Sequence, residues 1–324
     1  MNVILKTVNL SKYFPLNSNF LNFSKKFTKA VDNVSIEVFQ GETLALVGES
    51  GSGKTTLARC VTGLEKPNSG KTYFHSKDIS ELDSTGQKSL RKKMQIIFQD
   101  PFSSLNPRMK ISDIITEGLI EHKLIKKSDK SETAKKLLTS VGLDSKYCSR
   151  FPHEFSGGQR QRISIARAIS LNPELIICDE PVSALDMSVR TQILNLMLDL
   201  KKNLNLSYLF ISHDMSVVYN IADRAAIMYG GKILEIGNVE KIFDNPVHPY
   251  TSMLISAIPK PEPESKKIKI DANENYFIPD KGCKFFPRCK YCFDRCKTDE
   301  PELEDLYPNH SAACHRAGKF FKKT

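Results

Sequence analysis

Gly48-Glu-Ser-Gly-Ser-Gly53-Lys54-Thr55 is the stretch on which the fold turns. It has the spacing G-x-x-x-x-G-K-[ST]. The apolar run at 43–47 feeds straight into it, and residues 54–62 suit a helix stopped by Gly63. A strand, a glycine loop and a helix in that order form a phosphate cradle. The glycines let successive backbone N–H groups turn inward on a β-phosphate, and Lys54 reaches the β- and γ-phosphates. Thr55 offers its hydroxyl to Mg²⁺, and the positive end of the following helix faces the anion. Gly48, Glu49, Ser50, Gly51, Ser52, Gly53, Lys54, Thr55 and Thr56 are therefore candidate nucleotide contacts.

Two further motifs lie downstream. Asp179 follows four apolar residues, Leu175-Ile-Ile-Cys178, and so falls at the C-terminal end of a buried strand. Ligands bind there in open α/β sheets. A carboxylate at that place can hold Mg²⁺, and Glu180 next to it is placed to polarise an attacking water. About twenty residues earlier stands Ser156-Gly157-Gly158-Gln159. The serine can cap a helix whose first N–H groups are free to grip a γ-phosphate. One phosphate site already exists at 48–55, so the economical reading gives this second one to the ATP of a partner chain.

The rest of the chain alternates strands and helices. Strands are expected at 3–10, 33–39, 95–98, 208–212 and 225–229, with a polar loop at 17–29. Helices are expected at 89–94, 111–145, 159–171, 188–203 and 214–222, and Gly230-Gly231 reads as a hairpin turn. This is an α/β pattern. A Pro- and charge-rich linker at 259–267 separates the nucleotide part from a Cys-rich tail.

Composition bounds the reading. The chain has 324 residues, 40% hydrophobic and 26% charged, with a net charge of +10 spread over scattered lysines. The apolar runs are too short to cross a bilayer, which takes about 20 residues. The N-terminus lacks the apolar core and cleavage site of a signal peptide. The expected location is the cytoplasm, docked on a membrane protein.

Taken together, these motifs resemble the ATP-binding cassette family over about residues 3–245. The resemblance implies a P-loop nucleotide-binding domain at 1–245 with a RecA-like mixed sheet core, an antiparallel β subdomain and an α-helical subdomain at about 100–160. It implies further roles. Gln99 follows a strand and serves Mg²⁺ and catalysis beside Thr55 and Asp179. Glu180 and His213, within Ile211-Ser-His-Asp214, act in hydrolysis, and Ser156, Gly157, Gly158 and Gln159 are the signature, with Phe155 where leucine is commoner. Asp186 belongs to the dimer-contact loop. Phe14 stacks on adenine, with Tyr13 as the alternative. The wordings "QDPFSSLNPRM", "PHEFSGGQRQRI", "CDEPVSALDMSV" and "NPVHPYTSMLISAIP" narrow the resemblance to the ATPase subunits of oligopeptide and dipeptide importers, of the F type. The implied partners are a D-type ATPase in a heterodimer, two transmembrane permease subunits and, indirectly, an extracytoplasmic peptide-binding protein. No nucleic acid is implied. The implied place is the cytoplasmic face of the membrane. A nickel or metal-chelate importer shares the architecture, and a soluble cassette acting on ribosomes or DNA is the reading from another class.

Of eight cysteines, five crowd into the extension at 246–324: Cys283, Cys289, Cys292, Cys296 and Cys314. Clustered cysteines in a cytosolic chain point to metal rather than disulfides. Cys283, Cys289, Cys296 and Cys314 have the arrangement of this importer group and are expected to hold a [4Fe–4S] cluster, with zinc or free thiols as alternatives. Cys292 is an alternative ligand, and His315 a less favoured one, in a metal site spanning 283–315. The cassette motifs all precede residue 215, so nucleotide binding is expected to survive loss of the cluster.

Overall fold

The structure is a computed structural model that describes residues 2–15, 27–258 and 277–317. The linker expected at 259–267, and the part of the expected loop at 17–26, lie outside the described residues.

An eight-stranded sheet carries the site. In spatial order it runs Glu304–Tyr307, His310–Ala312, Lys232–Asn238, Arg224–Tyr229, Thr43–Val47, Ser207–Ser212, Leu175–Asp179 and Met94–Ile97. The five strands from Arg224–Tyr229 to Met94–Ile97 are parallel. The other three continue antiparallel at one edge. Thr43–Val47, Ser207–Ser212 and Leu175–Asp179 are buried at every position. That is why their interiors read as apolar runs, because both faces of a central parallel sheet are covered. The hairpin at Gly230-Gly231 is present, both glycines at positive φ (54° and 83°), the geometry that a two-residue turn between twisted strands requires.

A second, antiparallel sheet packs beside it, in the order Phe27–Val34, Val3–Pro15, Ser69–Phe74, Lys77–Asp78, with Glu37–Phe39 also paired to Val3–Pro15. Several boundaries differ from the pattern reading. The first strand runs on to Pro15, and residues 27–29 are strand rather than loop. The strand expected at 33–39 is broken at residues 35–36: residues 33 and 34 end the strand Phe27–Val34, and the chain resumes at Glu37–Phe39. The hairpin Ser69–Phe74/Lys77–Asp78 carried no expectation. The helix expected at 89–94 begins at Ser84, capped by the Asp83 side chain, and ends at Lys93. The helix expected at 111–145 is two, Ile111–Glu121 and Lys130–Ser140, with Lys123 at φ 55° between them. A left-handed residue ends a helix, and Lys123 has no glycine to announce it.

The tail returns to the sheet. His310–Ala312 pairs with Lys232–Asn238, and Glu304–Tyr307 pairs with His310–Ala312. Phe285 and Cys283 share an apolar cluster with Tyr229, Tyr250, Leu234 and Val47. Glu235 is the tie at the centre of this junction. Its fully buried carboxylate accepts the N–H groups of Val247 and His248 and meets His310 Nε2 at 2.7 Å. A buried carboxylate is tolerable only when so supplied.

Candidate functional site

The glycine loop joins Thr43–Val47 to the helix Lys54–Val61. Gly53 has φ 107°, and a Cβ there would come within 1.9 Å of the Ala30 carbonyl oxygen; at Gly48 it would meet the Met228 carbonyl oxygen at 2.1 Å. Both positions exclude any side chain. Lys54 is buried and donates to the carbonyls of Gly48 and Glu49 at 2.7 and 2.8 Å and to Ser52 Oγ at 3.3 Å. Burial pulls it below the usual lysine value, opposed by the carboxylates of Glu180, Asp179 and Glu49.

Asp179 ends Leu175–Asp179 and accepts the Thr55 hydroxyl at 3.0 Å. Burial raises its carboxyl, and the Thr55 bond opposes that. The next residue, Glu180, stands in the left-handed region at φ 45°, a conformation that costs a non-glycine residue of order 1 kcal/mol. Its N–H donates to the Ile211 carbonyl. Its Oε2 receives Gln99 Nε2 at 3.2 Å and meets His213 Nδ1 at 3.0 Å. Three strand ends thus bring Gln99, Glu180 and His213 to one oxygen, beside the Thr55–Asp179 pair.

Ser156 caps the helix Gly157–Ile169 in a reciprocal box with Gln159. Phe155 is buried edge-on to Tyr147, 5.4 Å between centroids, so a leucine position here holds an aromatic pair. Asp186 caps Met187–Leu204 by accepting the Val189 N–H. A Cβ on Gly158 would sit 2.3 Å from Val189 Cγ1, so the signature helix and the helix after Asp186 touch there. Among the described residues no hydrogen bond or ion pair joins residues 156–159 to residues 48–55. Phe14 is exposed on its strand with Lys12 over its ring, whereas Tyr13 is tied to Asp32.

Residues 31–183 match the family described as ABC transporter, and residues 234–296 match the oligopeptide/dipeptide transporter C-terminal region. The chain is 46% identical over 321 residues to the Bacillus subtilis oligopeptide transport ATP-binding protein AppF, covering 96% of this chain and 97% of that one. It is 45% identical over 315 residues to the Haemophilus influenzae dipeptide transport ATP-binding protein DppF, with 96% of each covered. The chain belongs to the ABC transporter family. Among solved structures it resembles the dimeric post-hydrolysis state of the ATP-binding cassette MJ0796 bound to ADP and Pi. The TM-score is 0.65 at 25% identity, over 72% of this chain and 98% of that one.

In this ABC chain the structure brings together the four tail cysteines expected to act as one group. Cys283, Cys289, Cys296 and Cys314 line one cavity of about 20 Å³, together with His248 and His315, while Cys292 does not line it. Cys292 Sγ is turned to the Phe293 carbonyl, and His315 Nε2 to the Asp299 carbonyl at 2.9 Å. Burial pushes Cys283 up to about 12 and Cys289 up to about 11. Both are thiols at neutral pH, and a metal cation taking them would release protons. Four sulfur donors round one cavity suit a four-thiolate site in kind. Among the described residues, however, no group of three or more His, Cys, Asp or Glu side chains is disposed to hold a metal ion, in the tail or beside Thr55 and Asp179.

Two links escaped the sequence reading. Arg190 Nη1 pairs with Asp214 Oδ2 at 3.0 Å and its Nη2 reaches the Leu185 carbonyl, so the segment before Asp186 is bound to the one carrying His213. Arg288 holds both carboxylate oxygens of Glu49, at 2.6 and 3.0 Å. No local pattern signals either contact; in the second the partners are 239 positions apart.

Proposed function

We propose that this chain is the ATP-hydrolysing subunit of an importer of oligopeptides or dipeptides, acting as one half of a cassette dimer. The observation that carries it is the convergence of Gln99 and His213 on Glu180 Oε2, next to the Thr55–Asp179 pair at the mouth of the glycine loop. ATP lies along Gly48–Thr55 with Lys54 on its β- and γ-phosphates, exchanging the loop carbonyls for phosphate oxygens. Phe14 offers an exposed face to adenine. Thr55, Asp179 and Gln99 would hold Mg²⁺, which when bound neutralises phosphate charge. Glu180 accepts a proton from the attacking water, Gln99 orients that water, and His213 stabilises charge on the γ-phosphate. Catalysis of this kind is positioning and electrostatics.

Among the described residues the signature at 156–159 makes no hydrogen bond or ion pair to its own glycine loop, which supports its use on a partner's ATP. The partner is read as a D-type ATPase, with two permease subunits above the pair. Among the described residues no helix is long and apolar enough to cross a membrane, which agrees with peripheral attachment through those subunits. The names of the relatives supply the cargo class.

Cys283, Cys289, Cys296 and Cys314 are read as the ligands of a [4Fe–4S] cluster, supported by their shared cavity and by the suitability of four sulfur donors. Zinc is the alternative. Protein purified without oxygen is expected to be brown, with about four irons per chain. A colourless preparation holding one zinc would replace the cluster, and a metal-free one would leave thiols. For the cargo, the reconstituted complex is offered labelled peptide and labelled nickel. Peptide uptake supports the reading, and uptake of nickel alone moves the chain to the metal importers.

A further inference from the structure

Glu49 places a carboxylate inside the phosphate loop, where an anionic triphosphate must bind. Its charge acts directly on Lys54. Its side chain is 40% exposed, so water screens its charge only in part. A loop built to hold phosphate gains nothing from a bare carboxylate at its second position. The structure shows how the charge is met. Arg288 takes both carboxylate oxygens of Glu49 in a bidentate pair, at 2.6 and 3.0 Å. Its guanidinium is itself mostly buried, 14% exposed, and packs over the rings of Tyr229 and Phe285. The same residue of the loop is fixed a second time, since the Glu49 N–H donates to the hydroxyl of buried Tyr250 at 3.0 Å.

The cation comes from the tail. Arg288 closes the short turn Phe286–Arg288, and Cys289 follows it. The turn is pinned by Phe286 N–H on the Cys283 carbonyl and by Cys283 N–H on the Cys296 carbonyl. The backbone that arranges the thiols therefore also aims the guanidinium at the loop.

We propose that Arg288 is a positioning residue for ATP binding, supplied by the Cys-rich extension to neutralise Glu49 and hold it away from the phosphates. The inference rests on the ATP-binding reading above and extends it to the tail. It predicts effects of opposite sign, because what matters is the net charge of the pair. In equilibrium titrations of the full chain with a fluorescent ATP analogue, Arg288→Gln leaves a bare carboxylate and should weaken binding about fivefold. Glu49→Gln removes the carboxylate while the guanidinium keeps its charge, and should tighten binding by about threefold. The double substitution restores a neutral pair and should return close to the unmutated value. Both single effects should shrink as salt is raised. In the assembled transporter the shifts should appear in KM rather than kcat.

A purely structural tie predicts something else: both single variants weaken binding and the double variant rescues nothing. That result, or Arg288→Gln binding as tightly as the unmutated chain, overturns the proposal. Glu49→Gln tests the sign on its own should Arg288→Gln fold poorly, and weaker binding there also overturns it. If the unmutated chain binds no ATP analogue, the ATP-binding reading itself falls and this inference falls with it. If it binds and the variants share one sign, only this inference falls.

Discussion

Glu180 shows what the site demands of single residues. Its backbone is held at φ 45°, and its Oε2 is gripped from two directions by Gln99 and His213. An off-preference conformation persists where the surroundings over-determine it, and here three strand ends do so. Lys54 is the other anchor. Lys54→Ala should weaken nucleotide binding roughly 10- to 100-fold, since a charge-assisted hydrogen bond is worth about 1.5–3 kcal/mol. Titration with a nucleotide analogue checks it, and retention of full affinity would remove Lys54 from the phosphate contacts. Glycines behave more absolutely. Gly53→Ala drives a Cβ onto the Ala30 carbonyl oxygen from a φ of 107°, so binding should be lost with the loop's shape even though the new side chain is only a methyl. These residues were legible because their chemistry is carried by short local spacings. The pairs Arg288–Glu49 and Arg190–Asp214 were not, because an ion pair between distant segments leaves no periodic mark in either one.

Among the elements, the buried strands were readable from the apolar runs of their interiors, while the antiparallel subdomain was read only in part. The strand Ser69–Phe74 is exposed at three of its six positions and has no run to show. The single expected helix at 111–145 failed at Lys123, where the break uses a left-handed lysine instead of a glycine. The tail's strands were missed because four and three residues carry little pattern; only the partner strand Lys232–Asn238 defines them. Two tests follow at this scale. Glu235→Ala leaves two N–H groups and the His310 ring without their acceptor, which should cost about 2–4 kcal/mol and release the tail to proteolysis. An unchanged melting temperature would contradict that. Burial pushes the His248 imidazole down to about 3 from 6.5, and its Nδ1 accepts the Tyr250 N–H. The unfolded chain takes up this proton first as pH falls. The stability His248 protects is therefore complete above about pH 6.5 and is lost progressively toward pH 3, about 2 kcal/mol of it by pH 5. His248→Gln should flatten the fall in melting temperature between pH 7 and pH 5. An equally steep fall would place the titrating group elsewhere.

At the scale of the whole molecule, the proposed reading gives the chain's glycine loop one half of a shared site and its signature to the partner's half, since among the described residues no hydrogen bond or ion pair joins residues 156–159 to residues 48–55. Alone it should turn over ATP poorly, and adding the second ATPase with the permease pair should raise the rate sharply. Full turnover by the isolated chain would contradict a shared site. The tail belongs to this picture as part of the sheet, because it adds two strands to the edge and an arginine to the loop. The central claim is that Glu180 drives peptide import by enabling hydrolysis, and one measurement tests it most directly. The complete transporter, with Glu180→Gln in this chain, is reconstituted in vesicles, and ATP binding, phosphate release and uptake of labelled peptide are measured together. The account predicts ATP bound as in the unmutated complex, with phosphate release and peptide uptake both nearly abolished. Phosphate release and uptake close to the unmutated rates would contradict it.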